Sequence, residues 1–166
     1  PVEIQKSKQN AKIFFQKKPF HIPFALGLLA PDGRALPLKL ADSPSEKFPD
    51  TEILELRNET ETFVFEDVPV PPVPSLLRGF SAPVKLHFDY SNAELAFLLS
   101  HDSDEFNRWE AGQQLMIRIS LEQIRCFQKK EPFRFQILSS FLDINAQPQI
   151  STHMQKHVFK FENIIA

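Results

Sequence analysis

The sequence predicts an α+β chain in two parts, a small antiparallel β-sandwich over residues 1–90 followed by an all-α helical segment over residues 91–166. Three observations carry that prediction. Apolar residues alternate with a period of two through the first half, and at Ser91 the period lengthens to that of a helix. Prolines and phenylalanines abound where glycines do not, with 17 Phe and 14 Pro against 4 Gly. Proline at that level, outside any simple repeat, suits an irregular β-rich part with rigid connections.

The strands come first. In "HIPFALGLLA", Phe24, Leu26 and Leu28 fall on one side of an extended chain, and in "ALPLKLA" Leu36, Leu38 and Leu40 do the same. Between them Pro31-Asp32-Gly33-Arg34 is a turn, so the two runs are expected to form a hairpin. "TEILELR" (Ile53, Leu54, Leu56) and "TFVFED" (Phe63, Phe65) read as a second strand pair around Asn58-Glu59-Thr60. "KLHFDY" is expected to close the half as a further strand, with Leu86 and Phe88 on one face. Short strands at near-regular spacing, with no helical stretch between them, point to an Ig-like sandwich. "VPVPPVP", from Val68 to Pro74, interrupts the alternation as a polyproline-like edge or crossover, because proline donates nothing to a ladder. Its Pro71-x-x-Pro74 spacing matches a ligand for an SH3-type groove, but a segment between strands of one domain favours the structural reading.

At Ser91 a capping box opens the helical half: Ser91 accepts from the first-turn amides and Glu94 reaches back. The helix behind it carries Leu95, Leu98 and Leu99 and is expected to end near His101. Ser103 is expected to cap a second helix, with Asp104 and Glu105 in its first turn. Its apolar stripe would run Phe106, Trp109, Gly112, Met116, Ile119, Phe127. A third helix is expected from Pro132, presenting Phe135, Leu138, Phe141 and Leu142, and a fourth stripe runs Ile150, Met154, Val158, Phe161, Ile165.

Composition limits function. A formal charge of -2 gives no basic field for nucleic acid, and no apolar run approaches the roughly 20 residues that span a bilayer. Cys126 is the only cysteine, so an internal disulfide is ruled out; this fits a reducing compartment, and a cytoplasmic location is expected. Cys126 itself reads as a small apolar helix residue with no local base to activate it. The abrupt start at Pro1 and uncapped end at Ala166 lead us to expect a piece of a longer protein.

Chemical candidates are few. His153 and His157 have the spacing of the zinc-protease helix H-E-x-x-H, but Met154 stands where the general base would be. Only nine residues follow His157, too few to supply the downstream carboxylate ligand. The pair therefore reads as an exposed helix face. His21, His87 and His101 have no Cys or carboxylate at ligand spacing. Asp102, Asp104 and Glu105 cluster in a capping context, and Arg108 beside Trp109 reads as packing at a domain junction. No nucleophile elbow, phosphate loop or dinucleotide fingerprint occurs. The residues alone give no catalytic, cofactor-binding or metal site.

The stretches "TFVFEDVPVPPVPSLLRGFSAPVKL" and "LAFLLSHDSDEFNRWEAGQQL" closely resemble the aminopeptidase N family of zinc peptidases, in its bacterial alanyl-aminopeptidase branch. "HIPFALGLLAPDGRALPL" resembles an earlier strand pair of the same region, and the likeness covers about residues 1 to 127. The family's chain order is an N-terminal β domain, a thermolysin-like catalytic domain, a small β-sandwich and a helical C-terminal domain. The resemblance implies that this chain is the sandwich and the start of the helical, solenoid-like domain. It implies that H-E-x-x-H, its downstream Glu and the amine-binding G-x-M-E-N belong to a preceding domain. Lys160-Phe161-Glu162-Asn163 shares only its last two residues with that last motif, so no family site residue carries over.

The implied role is architectural, a non-catalytic spacer between catalytic and helical domains of one parent chain. The parent, with zinc, would release N-terminal amino acids from peptides; this chain alone is expected to hold no cofactor and to be inactive. A stand-alone interaction module, binding a peptide on a strand edge or the proline-rich segment, is the alternative. Self-association through a truncated helical face around Phe159 to Ile165 is a further expectation.

Overall fold

The computed structural model describes residues 19–43 and 47–132, together with the backbone of residues 156–162. Strands β1 (Ile22–Leu29), β2 (Lys39–Leu40), β3 (Glu52–Leu56), β4 (Thr60–Glu66) and β5 (Val73–Leu76) precede helices α1 (Asn92–His101) and α2 (Glu105–Gln128), and β6 (Lys156–Glu162) follows. They build two three-stranded antiparallel sheets, β3-β1-β5 and β2-β4-β6. The α+β fold is therefore a two-sheet part whose first five strands precede a helical pair and whose sixth strand follows it.

The period-two reading of β1 holds, with one addition. Phe24, Leu26 and Leu28 point into the core with Leu54, Leu56, Leu38 and Phe65, all nearly inaccessible. Each such side chain contributes roughly 1.5–3 kcal/mol relative to exposure. Yet Ala25 and Leu29, on the opposite face, are buried too. The central strand is covered on both sides, because the outer face of its sheet carries the helices. Gly27 and Ser75 face each other across the β1–β5 ladder on that outer side.

The pairing of the other runs differs from expectation. Pro31 to Arg34 do turn the chain, closed by Arg34 N–H donating to the Asp32 carboxylate at 3.1 Å. The same arginine's side chain holds that carboxyl below its usual pKa. Only a single bridge, Leu29 to Ala35, continues the hairpin. The chain then crosses to the second sheet, where β2 pairs with β4. Likewise β3 and β4 do not pair with each other: β3 joins β1 and β4 joins β2. Strands adjacent in sequence are here divided between the two sheets. No strand forms over "KLHFDY"; Leu86 packs on the core, but among the described residues this backbone has no ladder partner. Part of the proline run is itself a strand, with Pro74 opposite Leu28 on the edge strand β5, where a missing N–H is tolerated. Val73 is fully buried there, so Pro71-x-x-Pro74 is not presented to an SH3-type groove.

Ser91 caps α1 as expected: its hydroxyl accepts from Glu94 N–H at 3.1 Å, and Glu94 accepts from Ser91 N–H at 2.7 Å. The cap of α2 is Asp104, not Ser103; its carboxylate accepts from Asn107 N–H at 2.9 Å. A carboxylate is the stronger acceptor at the positive helix end, and Ser103 is engaged elsewhere. Left-handed Lys130 ends α2, letting Lys130 and Glu131 N–H donate back to the carbonyls of Phe127 and Cys126. The packed stripe of α2 is Asn107, Ala111, Leu115, with Ile119 partly buried. Trp109, Met116 and Phe127, expected to be inward, are 58%, 65% and 76% exposed. Apolar content marked the wrong face here, because the inward face begins with an asparagine.

Residues 156–162 are not helical. They form β6, paired with β4 from Thr60–Glu162 to Glu66–Lys156. In "KHVFKFE" Phe159 and Phe161 alternate with polar neighbours, and this β-forming local pattern overrides the longer helical spacing. The expected helix over Phe135 to Leu142, and Ile150, Met154 and Ile165 of the fourth stripe, lie outside the described residues.

Candidate functional site

The most constructed polar region lies where the outer face of the first sheet meets the helices. β5 ends in a sharp reversal: Leu77, Gly79 and Phe80 all have positive φ around a 3₁₀ turn at Arg78–Phe80. Such backbone is costly for Leu and Phe, and the turn aims the Arg78 side chain back across β1. The guanidinium lies against Gly27, where an added Cβ would come within 2.5 Å of Nη1. Glycine is needed there to admit the arginine.

Arg78 is only 7% exposed and reaches both halves of the chain. Nη1 donates to Thr51 Oγ1 at 2.7 Å and to the Asp50 carbonyl at 3.2 Å. Nη2 donates to Asp102 Oδ1 at 3.2 Å and to the Ser103 hydroxyl. Asp102 Oδ1 also accepts from Asp104 N–H at 2.9 Å, while Asp102 Oδ2 is buried with no hydrogen-bond partner. The carboxylate therefore depends on Arg78 for its only cation among the described residues. Beside this pair, Asp104 accepts from Gly79 N–H at 2.9 Å. Asn107 Nδ2 donates to Ser75 Oγ at 2.8 Å, both side chains being buried. Tyr90 O–H donates to the Pro74 carbonyl at 2.8 Å, and Arg118 donates to the Tyr90 carbonyl at 2.6 Å. Burial, followed by the nearby Asp102 charge, raises the Tyr90 pKa far above that of a free phenol.

A groove of about 830 Å³ opens beside this junction, between the segment around Lys85–Asp89 and the first half of α2, with Glu110 and Gln114 on its helical wall. Phe80 and Phe106 pack at 5.2 Å near its end. No nucleophile and base meet there. The arrangement ties the first sheet to the helices through buried side chains.

The residues weighed from sequence are scattered. His21 meets Glu55 at the surface, His87 lies on the groove wall, and His101 stacks on Phe97 with Nδ1 donating to the Phe97 carbonyl at 3.2 Å. His157 sits in β6, so the shared helix face fails for it, and His153 lies outside the described residues. Cys126 is buried. Arg108 approaches Glu105 on the surface of α2, and Trp109 faces outward, so that pair is not at the junction contact. Among the described residues no three His, Cys, Asp or Glu side chains cluster as a metal ion needs. No described helix is long and apolar enough to cross a membrane.

Of the acidic cluster, Asp102 and Asp104 join the junction. Arg78, Ser75 and Asn107 were missed. A signal existed: an arginine inside the apolar run "PSLLRGF", and an Asp-Ser-Asp linker that balances it.

Comparison with known proteins places these features. Residues 2–89 match a family model described as "Domain of unknown function (DUF3458) Ig-like fold", and residues 92–162 match "Domain of unknown function (DUF3458_C) ARM repeats". Aminopeptidase N of Escherichia coli is 41% identical over 101 residues, 61% of this chain and 11% of that protein. That of Caulobacter vibrioides is 48% identical over 91 residues, 55% of this chain and 9% of its own length. That of Haemophilus influenzae is 31% identical over 116 residues, 70% and 13% respectively. Among solved structures, that of Legionella pneumophila aminopeptidase A in complex with aspartic acid matches with 27% identity and a TM-score of 0.46, over 75% of this chain and 13% of that one. The chain spans about a tenth of the length of the curated relatives it matches. The two halves brought together by Arg78 are thus an Ig-like domain and the opening helices of an ARM-repeat domain, and the chain belongs to the DUF3458 family as the counterpart of that region of aminopeptidase N.

Proposed function

We propose that this chain is the non-catalytic spacer of an aminopeptidase N-like zinc peptidase, joining the catalytic domain to the helical C-terminal domain. The observation that carries the reading is the Arg78 junction. Its buried charges are consumed in tying Ig-like domain to helices, with Asp102 committed to Arg78 and Asn107 to Ser75. Such a junction transmits position and supplies no acid, base or metal ligand.

The outward face of α2 completes the reading. Trp109, Met116, Ile117, Leu121, Ile124 and Phe127 are all exposed. Stacked helical repeats bury such faces against the next repeat, and the ARM-repeat match supplies the occupant: further helices of the same parent. The parent enzyme would release N-terminal amino acids from peptides in the cytoplasm, using zinc held in its preceding domain.

The test is a peptidase assay on the 166-residue chain with an aminoacyl-p-nitroanilide and added zinc. No turnover is expected from the chain, and turnover is expected once it is joined to a catalytic domain carrying H-E-x-x-H. Zinc-dependent release by the chain alone would overturn the reading.

A further inference from the structure

The two family models meet between residues 89 and 92, where a sequence-based division would place a hinge. The structure puts its densest polar ties across that line. Arg78 bridges Thr51 to Asp102 and Ser103, Gly79 binds Asp104, Ser75 binds Asn107, and Arg118 binds the Tyr90 carbonyl. Apolar packing is continuous as well. Leu95, Leu98, Ala111 and Leu115 belong to the same core as Leu26, Leu54 and Val73. His101 lies so close to Gly33 that a Cβ there would come within 2.8 Å of the ring.

We infer that the sandwich and the α1–α2 pair open as one cooperative unit, and that residues 90–91 are not a hinge. Swinging the helices away at that point would break the buried Arg78–Asp102 pair, whose carboxylate has no exposed surface and no second cation among the described residues. The same movement would uncover Ser75, which is fully buried, and the outer face of β1. No partial opening there spares one set of contacts while breaking another. This inference does not rest on the peptidase reading, since it concerns only contacts inside the chain.

Hydrogen exchange on the whole 166-residue chain tests it, comparing the natural sequence with Leu54→Ala. Leu54 is buried in β3, the edge strand on the far side of β1 from β5. Removing it should raise the opening of β1 about a hundredfold. If the unit is cooperative, amides of α2 from Ala111 to Leu115 lose protection by the same factor. Unchanged protection in α2 while β1 opens would overturn the inference and restore the hinge. Should Leu54→Ala leave the sandwich unfolded, far-ultraviolet circular dichroism decides. Loss of the helical signal together with the sheet supports one unit, and a retained helical signal overturns it.

Discussion

The two faces of α2 invert the usual rule for a surface helix. Its inward face opens with Asn107, bonded to Ser75 in a buried setting, and continues through the small Ala111 to Leu115. Its outward face carries a tryptophan, a methionine, two isoleucines, a leucine and a phenylalanine in solvent. On a solitary domain the large apolar side chains would lie inside and the asparagine outside. The inversion teaches that the helix serves two interfaces. One is closed within this chain, close-fitting and specified by polar pairing. The other is broad and apolar and is left exposed among the described residues. Polar ties fix register and cost much when broken, whereas an exposed apolar stripe contributes nothing until something covers it.

The comparison is broken most severely at Arg78. Arg78→Ala should destabilise the chain by about 3–5 kcal/mol, because it strands a buried carboxylate instead of merely losing a contact. Urea denaturation of the two proteins measures this, and a loss below about 1 kcal/mol would mean that water reaches Asp102 without difficulty. Asn107→Ala comes next, at about 1–3 kcal/mol, since it leaves the Ser75 hydroxyl buried and unpaired. The same denaturation series should place it between Arg78→Ala and any outward-face substitution.

Tyr90 gives a smaller effect with a distinctive pH signature. Tyr90→Phe keeps the packing and loses the hydroxyl bond to Pro74, at a cost of about 1 kcal/mol near neutral pH. The raised phenol pKa sets the sign of the pH dependence. Above pH ~10 the unfolded chain releases the Tyr90 proton while the folded chain keeps it, so stability falls as pH rises. The natural protein should therefore lose stability between about pH 10 and 11.5 more steeply than Tyr90→Phe. Parallel alkaline denaturation curves for the two would show that Tyr90 ionises freely in the fold.

What the sequence disclosed follows the same division between faces. Local signals were legible: the alternation of Phe24, Leu26 and Leu28, the Ser91 and Glu94 capping box, and the change of period between them. These depend on neighbours a few residues away. Strand partners were not legible, because β3 and β4 are adjacent in sequence and belong to different sheets. The junction was half legible. The acidic linker around Asp102 reads as capping, but its partner Arg78 lies 24 residues earlier in the chain. The apolar stripe of α2 marks the exposed face and not the packed one, because hydrophobicity identifies which face will be covered without saying by what. The sandwich reading of the first half rests on strand spacing and the solenoid-like reading of the second on resemblance, and the family matches, an Ig-like fold and ARM repeats, agree with them.

The outward face provides the smallest effect in this chain and the sharpest contrast with the parent. Ile117 and Ile124 are separated by two helical turns and are both more than half exposed. Replacing both by serine removes apolar surface that is already in water, so the 166-residue chain should change by no more than about 0.5 kcal/mol. Its tendency to associate at high concentration should fall, which sedimentation velocity would record. In a longer parent, where further helices cover the same face, the double substitution inserts two hydroxyls into a packed interface. There the loss should rise to about 2–5 kcal/mol, since transfer and cavity contributions apply at both positions. A large loss in the short chain would mean that this face is already covered. Equal, small losses in both would mean that the helices of the parent leave it bare.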